Sequence, residues 1–164
     1  MRHGRRNIKA GLTELDVVVL ENQRVELERS GEQIVLLGVD DPSFRTDYLF
    51  GDSALVIKSA LQEQSVGEDA YTVLLSHRPE LFDVYTGSGV DLVLSGHAHG
   101  GQFRLPFVGG LAAPNQGLFP KYDGGLYTED GTNMIVSRGI GNSVIPIRLN
   151  NRPEVVIVEL KKQA

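Results

Sequence analysis

Three of the chain's four histidines come directly after short apolar runs. Asp91-Leu92-Val93-Leu94-Ser95 leads into Gly96-His97-Ala98-His99-Gly100-Gly101-Gln102, and Tyr71-Thr72-Val73-Leu74-Leu75 leads into Ser76-His77-Arg78-Pro79. Neutral imidazole is the commonest protein metal ligand near neutral pH. In extended backbone, residues two apart point the same way, so His97 and His99 are expected to reach one small volume. Gly96 lets the chain turn where the strand stops, and Gly100-Gly101 clear space beyond it. A single histidine after a strand reads as an ordinary loop residue. The repeated pattern of apolar run, Ser, then His tips the reading toward a metal site. In open α/β sheets ligands gather beyond the carboxyl ends of strands, and His77, His97 and His99 all fall there.

Other residues able to do chemistry are weaker candidates. Asp40-Asp41 precede Pro42, a context that suits turn chemistry as well as ligation. Arg138-Gly139-Ile140-Gly141-Asn142 sits at a strand end, where Arg138 could reach a phosphate or simply pack. Arg2, Arg5 and Arg6 read as a solvated face, and His3 as a surface residue. Gly51-Asp52-Ser53-Ala54-Leu55 looks like the nucleophile motif of the GDSL-type esterases. It lacks an apolar strand before it (Thr46-Asp47-Tyr48 stands there) and any Asp-x-x-His near the C-terminus, so Asp52 or Ser53 reads as a helix cap.

The elements that position these groups alternate along the chain. Residues 1–12, with Gly4, Asn7 and Gly11, are expected to be irregular. Val17-Val18-Val19-Leu20 reads as a strand, Glu21-Asn22-Gln23 as a turn, and Val25-Glu26-Leu27-Glu28 as its half-exposed partner. Gln33 to Val39 reads as an interior strand. A helix is predicted from Ser53 to Gln64, with Leu55, Val56, Ile57 and Leu61 on its apolar face and Gly67-Glu68-Asp69 closing it. Pro79 to about Tyr85 reads as a short helix with proline in its first turn. Residues 71–99 therefore form a strand–helix–strand unit, which implies parallel pairing of the two histidine strands. Phe103 to Gly125 is a long Gly-, Pro- and aromatic-rich loop, expected to wall the substrate cleft. Leu126-Tyr127, Met134 to Ser137 and Val155 to Leu160 are the last predicted strands.

At 164 residues the chain suits one domain. A formal charge of −5 without a basic block gives no reason to expect nucleic-acid binding. The absence of cysteine removes disulfides and thiolate ligands but does not fix the compartment. No apolar run approaches a membrane span, and the start lacks a signal-peptide stretch, so a soluble chain is expected.

In combination, Ser76-His77 and Gly96-His97-Ala98-His99 resemble the last two metal motifs of the calcineurin-like metallophosphoesterases. Gly100-Gly101-Gln102, Pro106, Arg138-Gly139-Ile140-Gly141 and Arg152-Pro153-Glu154 extend the likeness, which runs from about Gly11 onward. The branch it resembles includes bacterial membrane-associated phosphohydrolases acting on nucleotide-linked lipid precursors. The resemblance implies an α/β (α+β) fold, a β-sandwich flanked by helices, and metal-dependent hydrolysis of phosphomonoesters or phosphodiesters. It implies two divalent ions (Mn, Fe or Zn): His77 and His97 would share one, and His99 would hold its neighbour. Small phosphoesters or lipid-linked nucleotides would be the substrates. No catalytic or substrate-binding residue is assigned.

The family's opening Asp-x-His, Gly-Asp-x-x-Asp and Gly-Asn-His motifs do not occur here. The chain therefore reads as a single partial domain over 1–164, the C-terminal half of the fold, alone inactive or weak. Two alternatives stay open: a catalytically incomplete metal-binding or partner-binding half-domain, and a one-metal His₃ hydrolase. Loss of the N-terminal strands is expected to leave strand 71–76 or 91–95 with an unpaired edge, favouring self-association.

Overall fold

The computed structural model describes residues 2–44, 52–64, 70–141 and 147–161. Thr46-Asp47-Tyr48, Gly51, Gly67-Glu68-Asp69 and Asn142 lie outside the described residues, as do the side chains of residues 2–7, His3 among them. The architecture is mixed α/β. Among the described residues, no helix is long and apolar enough to cross a membrane.

One six-stranded sheet carries the molecule. Its elements are β1 (Gln23–Arg29), β2 (Glu32–Gly38), β3 (Tyr71–Leu75), β4 (Leu92–Ser95), β9 (Gly125–Glu129) and β10 (Thr132–Val136), in spatial order β1-β2-β3-β4-β10-β9. The four central strands β2, β3, β4 and β10 run parallel, and an antiparallel hairpin closes each side. The two histidine strands are neighbours, with Val73 opposite Leu92 and Leu75 opposite Leu94. Their alignment is fixed from below by Asp91, whose carboxylate accepts the Thr72 amide at 2.7 Å.

Helices cover one face of this sheet. Helix α2 (Ser53–Glu63) starts as its sequence dictates, with the Asp52 carboxylate accepting the Ala54 amide at 2.9 Å. Ile57 and Leu61 are buried, Val56 is half-buried, and Leu55 points to solvent. The apolar stripe is thus narrower than the composition suggested. A turn of 3₁₀ helix (Pro79–Leu81) runs into α3 (Phe82–Thr86), which delivers Phe82 and Tyr85 fully buried to the core. With Val35, Leu37, Leu74, Val93, Met134 and Val136 they form one continuous cluster. Each such aromatic or aliphatic side chain contributes about 1.5–3 kcal/mol relative to exposure.

The opposite face is open. Leu36, Leu75 and Leu94 line a groove of about 380 Å³ with Val18 and Leu20, and His77 stands at its end. Leu20 packs against Gly38.

Four expectations about the elements are corrected. Residues 2–14 form a helix, α1 (Arg2–Glu14); the glycines do not break it, and Ile8, Leu12 and Leu15 recur at helical spacing on an exposed surface. Val17–Leu20 is not a strand, because β1 already takes the outer side of β2. Val155–Leu160 has strand composition yet no ladder partner among the described residues, and Val155 and Ile157 are 80% and 90% exposed. Strands 71–75 and 92–95 also have no free edge, since each is paired on both sides. The edges are β1 and β9.

Between β4 and β9 the long loop contains two small hairpins, β5 (Arg104–Leu105) with β6 (Gly109–Gly110) and β7 (Ala112–Ala113) with β8 (Gly117–Leu118). Asp123 holds the first in place, accepting the Gly110 amide at 2.5 Å and the Arg104 guanidinium at 2.9 Å.

Candidate metal centre

His77 leaves the end of β3 between two residues clamped by one buried hydroxyl. The Tyr85 hydroxyl donates to the Arg78 carbonyl at 2.7 Å, so the Ser76 hydroxyl, also 2.7 Å away, must donate to Tyr85. Burial pushes the Tyr85 hydroxyl well above its usual pKa, keeping it a neutral donor. The Ser76 amide reaches across to the Leu94 carbonyl at 3.2 Å. Ser–His after a strand is therefore a device: the serine is pinned inward and the histidine is left facing out.

Arg78 turns the other way. Its guanidinium forks onto Asp41 at 2.9 and 3.0 Å. Burial alone would raise Asp41, but hydrogen bonds from Arg78 and Ser43 hold it at about 2. Asp41 is thus neutralised by Arg78, which ties the end of β2 to the His77 loop. It is a structural carboxylate here.

His77 and His97 meet. Nδ1 of His97 lies 3.0 Å from Nε2 of His77, and the ring centres are 4.6 Å apart at 63°. Nε2 of His97 lies 3.1 Å from the amide nitrogen of Asn115, which also donates to Glu80 at 3.0 Å. Burial brings His97 down to about 4, with help from the positive fields of His77 and Arg78. The ring is therefore neutral at physiological pH and keeps a lone pair, the form a metal requires.

His99 arrives differently from the expectation. His97 and His99 are both left-handed (φ 64° and 47°) and Ala98 between them is right-handed (φ −68°), so the backbone is a tight turn and not extended. The two side chains do not point the same way by strand alternation. His99 has its pKa lowered by burial, by Arg148 and by His77, and it hydrogen-bonds the Gly141 carbonyl. It lies within electrostatic reach of both other histidines. Among the described residues no group of three or more His, Asp or Glu side chains closes into a metal cage. The donors present suit a divalent ion in type, and two of them, His77 and His97, converge.

Arg138 does not face this site as an open cation. Its guanidinium is paired with Glu154, whose carboxyl that bond lowers. Sequence reasoning missed Asn115, although the loop that carries it was expected to wall the cleft. It also missed Asn151, whose amide donates to the His99 and Gln102 carbonyls at 2.6 and 3.1 Å. No local pattern marks either: both reach the site from distant parts of the chain.

Comparison with known proteins shows the family. The "uncharacterized metallophosphoesterase" of Aquifex aeolicus is 37% identical over 145 residues, 87% of this chain and 50% of that protein. That of Helicobacter pylori strain J99 is 36% identical over 166 residues, 99% of this chain and 41% of its own length. The phosphodiesterase YaeI of Escherichia coli K12 is 40% identical over 88 residues, 54% of this chain and 32% of that protein. No family model and no solved structure matches the chain. The chain belongs to the calcineurin-like metallophosphoesterase family. It spans half or less of the length of these three relatives.

Proposed function

We propose that the fold to which this chain contributes hydrolyses phosphomonoesters or phosphodiesters at a two-metal site, and that His77, His97 and His99 are the ligands on this side of it. The observation that carries the reading is the contact between two imidazoles, His77 and His97, at the ends of adjacent parallel strands. Two divalent ions (Mn²⁺, Fe²⁺ or Zn²⁺), when bound, supply an activated water and neutralise charge on the phosphoryl oxygens. The chain's own part is to present nitrogens. Ser76 and Tyr85 orient the His77 loop, Glu80 and Asn115 hold the His97 ring, and the 97–102 turn brings His99 beside them. Small phosphoesters or lipid-linked nucleotides are the proposed substrates; YaeI is named a phosphodiesterase.

Three imidazoles cannot supply the anionic bridge that keeps two dications about 3.5–4 Å apart. Asp41, a carboxylate just beyond the end of the neighbouring strand, is engaged by Arg78. The chain by itself is therefore expected to bind a divalent ion and to turn over a generic phosphodiester poorly, even with added Mn²⁺. Calorimetric titration with Zn²⁺ and Mn²⁺, repeated on His77→Ala and His97→Ala, tests the first part. Binding that survives both substitutions would overturn it. Robust hydrolysis abolished by His97→Ala would show that these residues suffice as an enzyme.

A further inference from the structure

We infer that Asn151 is a positioning residue for the metal centre, setting the backbone of His99. The inference rests on the metal reading above for its consequence and on geometry alone for its mechanism.

The turn it holds is an expensive one. Five of the six residues from His97 to Gln102 have positive φ, and His97, His99 and Gln102 among them are not glycine. An L-residue in the left-handed region costs on the order of 1 kcal/mol or more, and persists only where the surroundings over-determine it. The turn's own bonds, Gly101 to the Ala98 carbonyl at 2.8 Å and Phe103 to the Gly101 carbonyl at 2.7 Å, close it locally. They do not say where the turn sits relative to the sheet.

Asn151 does. It is 2% exposed, and its amide places one hydrogen on the His99 carbonyl in the middle of the turn and the other on the Gln102 carbonyl at its end. Its Oδ1 lies where a Cβ on residue 100 would go, so Gly100 is required by Asn151 as much as by its own φ of 65°. The residue is itself anchored: Leu149 bridges Phe103, and the Arg104 amide donates to the Leu149 carbonyl at 2.9 Å. Two coplanar donors on a short stem are what the site demands. Aspartate is isosteric but offers none and would set a carboxylate against two carbonyl oxygens. Serine offers one.

Asn151→Asp and Asn151→Ser, made in the full chain, test this by two readouts. The first is amide exchange in metal-free protein. In Asn151→Asp, Gly101, Gln102 and Phe103 are expected to exchange at least tenfold faster while the β3 and β4 amides keep their protection, with Asn151→Ser between. The second is Zn²⁺ titration followed on the histidine ring resonances. Affinity is expected to fall roughly tenfold, the scale of outer-shell changes, with the His99 response lost and the His77 and His97 responses kept. Unchanged exchange at 101–103, or equal loss at the turn and in β3 and β4 in both variants, would overturn the inference. If the wild-type rings ignore Zn²⁺, the metal reading fails and the exchange data alone decide for or against Asn151.

Discussion

His97 donates its Nδ1 proton to Nε2 of His77 across 3.0 Å. The direction follows from Asn115: its amide nitrogen faces the Glu80 carboxylate, so it is a donor, and the His97 Nε2 beside it must accept. The proton of a neutral His97 then sits on Nδ1. The chain Glu80–Asn115–His97–His77 is thus oriented end to end.

Burial of that ring, with the positive fields of His77 and Arg78, predicts an acid-shifted histidine. His97 should titrate at about 4 in the metal-free protein, well below 6.5. The fold then binds fewer protons than the unfolded chain below pH 6.5, so this contribution to stability is full above 6.5 and fades as pH falls toward 4. Asn115→Ala removes a bond made only to the neutral ring, and should raise the His97 pKa. Proton NMR of the ring measures both. A wild-type midpoint near 6.5 would refute the arrangement.

A second acid transition belongs to Asp41. Its carboxyl is held at about 2 against 3.8 unperturbed, so its contribution is present above pH 4 and lost as pH falls from 3.8 toward 2. Allowing for partial solvent screening, Asp41→Asn should cost about 1–2 kcal/mol at neutral pH and flatten the stability curve in that lower window. Urea unfolding at a series of pH values checks it. An unaltered slope below pH 4 would count against the pair.

Gly101 tests the turn from a side that Asn151 does not touch. Its φ is 72°, and a Cβ there would overlap the backbone of Gly110, which cannot swing aside as a side chain can. Gly101→Ala should lower stability by on the order of 2 kcal/mol or more. A midpoint within experimental error of wild type would mean that the two loops are not packed this closely.

The open sheet face predicts behaviour in solution. Leu75 is 36% exposed beside Leu36 and Leu94. Apolar area of this kind favours association, and the proposal is that the isolated chain pairs with a second copy through it. Light scattering should report species larger than a monomer, shifted toward monomer by Leu75→Lys. A monodisperse wild-type monomer would rule this out.

Much of this was legible in the sequence, and the failures have identifiable causes. Tyr71–Leu75 and Leu92–Ser95 could be read because buried parallel strands are short uninterrupted apolar runs. Asp52 could be read because N-caps are local. Val17–Leu20 and Val155–Leu160 misled because composition measures fitness for a strand and not the presence of a partner. His97 and His99 were placed together for a reason that does not hold: the backbone there is a left-handed turn and not a strand. Asn115 and Asn151 were invisible because each acts across 18 and 52 residues, respectively, on the loop it serves.

The 52-residue span between Asn151 and His99 also sets an order of events during synthesis. A ribosome adds roughly 5–20 residues per second, so roughly 3–10 s separate the translation of His99 from that of the residue that holds its carbonyl. Over that interval the histidine turn is on the nascent chain without its clamp. A strained left-handed loop has no reason to persist in that state, whereas β3 and β4 can already pair. The candidate site is therefore expected to be the last part of the chain's fold to set, and any ion it captures would be taken up by a nearly finished sheet.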